Sequence, residues 1–344
     1  MAWRPVDSST ASQLAHGPRL ARAVGTITAS DSVVRADEPV ATAVRKVIGR
    51  QLLRLRSSEP GTRLGTDPEA LHDLRVAIRR LRAAVRAFGP SLPWHLRRSL
   101  RTELQWVGQL TGNLRDLDVQ VEHLRLYRTR RATYDSGLSQ FGEYLAAEHA
   151  SRRRKLLTAL ESRRYLALLA RMERYVAGQF PQARGGPETR EPVALAGRRG
   201  IKAALRRLRR RGDTIHGTPR PEDLHVLRIR AKRLRYQLEF LDDITGKTGQ
   251  RLVKRLVVLQ DVLGAYHDAV VAAGFVERYL EGPGARLDPA ALRNLRAFAT
   301  AQRRRAERQQ SRFRSAWRRF TRKRTRDEFR IVLQRLRALA LCSD

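Results

Sequence analysis

Two histidine-led runs of basic residues carry the chemistry in this sequence. One begins at His72 and reads HDLRVAIRRLRAAV; the other begins at His225 and reads HVLRIRAKRLRYQL. On a helix, at about 100° per residue, His72, Arg75, Arg79, Arg82 and Arg86 fall within an arc of about 80°. His225, Arg228, Lys232 and Arg235 repeat that cationic row. A guanidinium holds two phosphate oxygens in its planar fork and stays charged at any relevant pH. A histidine near clustered phosphates is favoured in its protonated form, which donates from both ring nitrogens. The chemistry these types suit is the binding of anions. Solvated helix faces usually mix signs, because like charges at i,i+4 destabilise a helix. A row without an intervening acid costs stability until an anion occupies it.

The elements that must position these rows are amphipathic helices. Leu74, Ile78, Leu81, Val85 and Phe88 form an apolar seam centred about 110° from the first row, and Leu227, Ala231, Leu234, Leu238 and Leu241 do the same beside the second. From Asp37 onward apolar residues recur at helical spacing and period-two β-branched runs are absent, which predicts an all-α fold. Residues 1–36 read as a flexible tail. Clusters of Pro and Gly at 57–69, 89–93, 181–192, 212–222 and 281–289 predict about six helices before Phe180 and about six after Pro192. The expected organisation is a first helical half over 37–180, a linker over 181–192 and a second half over 193–344.

The halves resemble each other, which predicts an internal duplication. The two runs share H-x-L-R-(V/I)-x-x-(R/K)-R-L-R at an offset of 153 residues, and LTGNLRDLDV (110–119) is matched by VLGAYHDAVV (262–271) at an offset of 152. Gly112 meets Gly264, each predicted to end a helix, and Asp116 meets Asp268. Asp116, Asp118 and Asp268 are candidates to orient nearby Arg or His side chains by charged hydrogen bonds.

Of 344 residues, 70 are Lys or Arg and 34 Asp or Glu, a net charge of +36, while 42% are hydrophobic and 30% charged. Such a charge repels itself in a compact fold unless a polyanion offsets it. The one cysteine, Cys342, excludes an intramolecular disulfide and a cysteine-built zinc site. No signal-like apolar run opens the chain, and no stretch is expected to approach a membrane-spanning helix, so a cytoplasmic protein without membrane insertion is expected. The pairs His72–Asp73 and His267–Asp268 raise the alternative of a metal-dependent phosphohydrolase, but neither survives the repeat: Asp73 aligns with Val226 and His267 with Arg115. No P-loop, nucleophile elbow or zincin helix is present. Aromatics are 6% and absent from the rows, so the pattern is charge neutralisation without base readout. Inorganic polyphosphate fits that description, and nonspecific RNA or DNA backbone binding remains the alternative.

HDLRVAIRRLR with LTGNLRDLDV, followed by HVLRIRAKRLRYQLEF with LGAYHDAV, resembles the CHAD family of conserved histidine α-helical domains over about residues 37–344. The resemblance implies two pseudo-symmetric helical bundles around a basic central groove or pore. It implies binding of inorganic polyphosphate, association with polyphosphate granules, no required cofactor and no enzymatic activity. It carries binding roles to His72, Arg75, Arg79, Arg80, Arg82, His225, Arg228, Lys232, Arg233 and Arg235, and further to Arg86 and Arg115. The E-x-E-x-K strand signature of the CYTH triphosphate-processing domains joined to many relatives is missing. With 36 residues ahead of the first helix, no such domain is expected. The basic segment 318–330 has no assigned place in that scheme.

Overall fold

A computed structural model of the chain describes residues 33–65, 67–129, 135–180 and 190–341. Its helices are α1 (Val40–Leu64), α2 (Pro68–Ala87), α3 (Trp94–Thr129), α4 (Ser136–Glu161), α5 (Arg163–Val176), α6 (Val193–Asp213), α7 (Pro221–Phe240), α8 (Asp242–Glu281), α9 (Pro289–Phe320) and α10 (Lys323–Leu341), with a short 3-10 turn at Gly89–Ser91. No β-strand occurs among the described residues, so the fold is all-α as expected. Most of the expected linker (181–189), the expected tail up to residue 32 and Cys342 lie outside the described residues.

Helix ends follow local chemistry. Asp67 accepts from the Glu69 N–H, Asp135 from Leu138, Ser162 from Tyr165, and Asp288 from Ala290 and Ala291, satisfying donors that have no partner within the helix. Gly65 closes α1 at φ 72°, a left-handed conformation that glycine adopts without strain. Gly246, at φ 60°, kinks α8 after its first turn.

Five helices precede Phe180 and five follow Pro192 among the described residues, close to the expected six or so on each side. Gly112 and Gly264 do not end helices; they sit inside α3 and α8. A glycine in a helix costs about 1 kcal/mol relative to alanine. Leu104, Val107, Leu114 and Leu117 are buried on the same helix as Gly112, and each contributes about 1.5–3 kcal/mol. Packing therefore outweighs propensity, and α1 likewise runs through Pro60.

Two apolar cores hold the helices, and both draw on residues from each side of the expected linker. The larger runs from Val34 on the N-terminal approach to Ala340 on α10. The smaller joins Leu117, Phe141 and Leu145 of α3 and α4 to Tyr279, Leu295 and Phe298 of α8 and α9. The backbone stitches the two sides again where α1 and α6 begin. Val40 N–H donates to Glu191 O and Val193 N–H to Glu38 O, at 3.1 and 2.9 Å. The expected tail boundary at residue 36 falls inside packed structure, since Val34 is buried and its N–H donates to Asp243 at 2.9 Å.

Helix α8 corrects one expectation from composition. It contains a window of 18 residues apolar enough to cross a membrane. Its place in the fold accounts for that character: α8 packs against α7, α9 and α10, a core position that selects Leu, Val and Ala.

Candidate cationic site between α2 and α7

Helices α2 and α7 pack together, with Phe88 and Phe240 meeting at their C-terminal ends at 6.0 Å between ring centroids. Each keeps its apolar seam in the core: Leu74, Ile78 and Leu81 on one, Leu227, Leu234 and Leu238 on the other, are all sealed from solvent. With the seams so fixed, the neighbouring cationic rows turn toward each other.

Arg75 and Arg79 of α2 lie close enough to Arg228 and Lys232 of α7 for the charge of Arg79 to lower both of those groups and that of Arg75 to lower Lys232. Burial first, then Arg79, draws the Arg75 guanidinium below its ordinary range, with Arg228 and Arg115 adding to it and Asp116 opposing. Burial also lowers Arg228, against the pull of Asp268. Lys232 responds most: burial, then Arg228, Arg79, Arg75 and Arg235, takes its ammonium down to about 7. The Nε groups of Arg79 and Arg228 are buried without a hydrogen-bond acceptor. Leaving a buried donor unpaired costs about 1–3 kcal/mol. Arg79, Arg82, Arg228 and Lys232 have no carboxylate within ion-pair distance among the described residues.

A cavity of about 700 Å³ opens along this contact, lined by Arg79, Arg82, Arg86, Lys232 and Arg233, with Arg207 of α6 and Arg230 adding further cations. Burial and Arg86 together lower Arg82 and Arg233. Two guanidinium groups lie over the Tyr236 ring, Arg79 at 5.9 Å and Arg235 at 5.3 Å from its centroid.

Towards the helix starts the surroundings change. Asp116 of α3 approaches Arg75 at 3.8 Å, and its carboxyl is pushed above its usual range, chiefly by burial, with Asp268 of α8 adding to it. Asp118 pairs with Arg115 at 3.4 Å and with His149 of α4 at 2.9 Å. His225 faces His267 of α8 with ring centroids 5.4 Å apart. Burial first, then Arg228, lowers His267 to about 4, and burial with Arg115 lowers His72. Both rings are therefore biased towards the neutral form unless an anion offsets the cations.

Two candidate residues are otherwise engaged. Arg80 donates twice to Glu239, at 3.0 and 3.2 Å, and lines a second cavity with Arg50, Arg54 and Lys254. Arg235 is paired with the other Glu239 oxygen at 3.1 Å. Glu239 thus binds α2 to α7 while leaving Arg79, Arg82, Arg228 and Lys232 without a carboxylate of their own among the described residues. Arg86, His225 and Arg233 are exposed. Sequence reasoning did not place Tyr236, Arg152, Arg207 or Arg230 in the site. Tyr236 had a signal, since it follows Lys232 by four residues on the same face. Arg152, whose charge reaches Asp116, and Arg207 come from α4 and α6 by packing and carry no local signal.

No three His, Cys, Asp or Glu side chains gather as a metal ion would need among the described residues. Fold and site together define an all-helical protein with a cation-lined, partly open cavity. The profile of the CHAD domain matches residues 46–277, well over half the chain and inclusive of both rows; the chain belongs to the CHAD domain family. That match stops short of the C-terminal reach expected from the motifs.

The crystal structure of the CHAD domain from the plant Ricinus communis superposes with a TM-score of 0.66 at 25% identity, covering 83% of this chain and 93% of that one. PptA from Streptomyces chartreusis superposes at 0.64 with 23% identity, covering 81% and 99%, a likeness of fold. Uncharacterised proteins from two strains of Mycobacterium tuberculosis are 26% identical over 284 residues, 79% of this chain and 52% of theirs. The chain spans about half the length of these curated relatives.

Proposed function

We propose that this chain binds inorganic polyphosphate in the α2–α7 cavity, without chemical turnover and without a cofactor, and resides in the cytoplasm at polyphosphate granules. The observation that carries the reading is the convergence of Arg75, Arg79, Arg228 and Lys232 from two helices with too little negative charge nearby to balance them. A bare phosphate chain is thin enough to enter between helices and offers closely spaced oxygens to the guanidinium forks. It needs no stacking platform, and Tyr236 beside the cations is buried and already in contact with two of them. Membership of the CHAD family supports the same ligand.

The test is the binding of labelled polyphosphate to the full chain and to a variant carrying Arg75→Ala, Arg79→Ala, Arg228→Ala and Lys232→Ala. Binding is expected to vanish while the far-ultraviolet circular dichroism stays helical. Unchanged affinity would remove these rows from the site. Affinity of the intact chain is expected to rise with polymer length, as further phosphates meet further cations.

A further inference from the structure

The C-terminal helices carry a second basic surface that the α2–α7 cavity does not use. Residues 278–341 lie beyond the family match. From Pro289 to Leu341 the chain holds three acids, Glu307, Asp327 and Glu328, against seventeen Lys and Arg. Glu328 is buried and engaged by Arg255 at 2.7 Å, so it offsets little of the surface charge.

The arginines are ordered. Arg304, Arg308, Arg312 and Arg319 on α9 follow the spacing +4, +4, +7, and Arg322, Arg326, Arg330 and Arg337 repeat it at the start of and along α10. On a helix that spacing places four side chains within an arc of about 80° over some 22 Å. All eight are exposed; on α9 the row lies away from the buried face formed by Phe298, Phe313 and Trp317, and on α10 it runs beside the buried face formed by Phe329, Val332 and Leu336. Arg330 pairs with Asp327 at 3.2 Å. The other seven have no carboxylate within ion-pair distance among the described residues.

This surface is separate from the cavity. Helix α6 packs against α7 on one side and α10 on the other. Arg207 of α6 lines the cavity, whereas Arg209 lies with Thr321 and Arg326.

We propose that the two arginine rows of α9 and α10 form a sequence-independent docking surface for duplex nucleic acid. An exposed, unwalled field of guanidinium groups accepts a polymer too wide for the cavity between α2 and α7. The rows contain no aromatic or apolar side chain, so they contact phosphates without reading bases. The α9 row also lacks the apolar flank by which a basic helix enters a membrane interface, and on α10 the exposed apolar side chains are two, Ile331 and Leu341, too few for such a face. A polyphosphate chain and a duplex could then be held at once on opposite sides of α6.

The experiment measures binding of a labelled 30-base-pair duplex of random sequence, and of labelled polyphosphate, to the full chain and to two variants. One variant carries Arg304→Gln, Arg308→Gln and Arg312→Gln; the other carries Arg326→Gln, Arg330→Gln and Arg337→Gln. Each is expected to weaken duplex binding by roughly tenfold or more and to leave polyphosphate within twofold. With six to ten phosphate contacts, duplex affinity of the unaltered chain should fall by roughly 10³–10⁵ between 50 and 200 mM salt. Saturating polyphosphate should leave the duplex bound. Duplex affinity unchanged in both variants, loss of polyphosphate instead of duplex, or displacement of duplex by polyphosphate would each overturn the proposal.

Discussion

At the α2–α7 contact the cations are half-buried and crowd one another; on α9 and α10 they stand in water, four to a row. Both regions are arginine rows at helical spacing, so composition does not separate them. Their surroundings do. In the cavity Lys232 titrates near 7 and buried guanidinium nitrogens lack acceptors, so the crowded cations store unfavourable electrostatic energy that an anion relieves. On the exposed rows water already solvates each charge, and binding gains chiefly by releasing counterions from the ligand. Burial thus turns a basic row into a narrow site for a thin chain, while exposure leaves it open to a wide polymer.

The largest expected effect separates the two regions. Removing Arg75, Arg79, Arg228 and Lys232 takes away charged hydrogen bonds of about 1.5–3 kcal/mol each. Polyphosphate affinity should fall by roughly a hundredfold or more while duplex binding persists; equal loss of both ligands would erase the distinction.

Next in size is pH. Lys232 faces Arg75 and Arg79 of α2, Arg228 and Arg235 of its own helix, and His267 of α8. Below about 7 it is charged before ligand arrives. Above that value binding must draw in a proton, so polyphosphate affinity should decline by up to about tenfold per pH unit. His72 and His267 have folded values below the ordinary one and gain protons when an anion binds, so affinity should keep rising as pH falls below 7. Lys232→Arg stays charged throughout and should flatten the decline above pH 7, as titrations between pH 6 and 9 would show. An unchanged slope would place the pH response elsewhere.

The smallest effect concerns the tie between the two helices. Glu239→Gln leaves Arg80 and Arg235 without their shared carboxylate. Chemical denaturation should register a loss of about 1–3 kcal/mol, with polyphosphate affinity within threefold. A larger loss of affinity than of stability would make Arg80 and Arg235 direct contacts after all.

Much of this arrangement is legible in the amino-acid sequence. Periodicity sets the two seams of α2 and α7, and the adjacency of an apolar and a cationic stripe dictates that cations line whatever space the packed helices enclose. The glycine signals mislead, because Gly112 and Gly264 sit in helices held by buried apolar residues on either side, and a local rule does not weigh what those residues pack against in the fold. Glu239 is also hidden: nothing in LRYQLEF announces that its acid will reach across to Arg80. Arg152 and Arg207 arrive from other helices, so their place depends on tertiary packing. The exposed arginine rows have an internal spacing visible in the sequence; their separation from the cavity depends on where α6 lies.

The most direct test of the cavity's role uses the chain with both arginine rows of α9 and α10 neutralised, so that the recessed cations are left to act. Labelled polyphosphate is bound at physiological salt and challenged with RNA at equal phosphate concentration. Polyphosphate retained against RNA, and lost on further removal of Arg75, Arg79, Arg228 and Lys232, is the predicted result. Displacement by RNA at that ratio would contradict it and make the cavity a general binder of phosphate backbones.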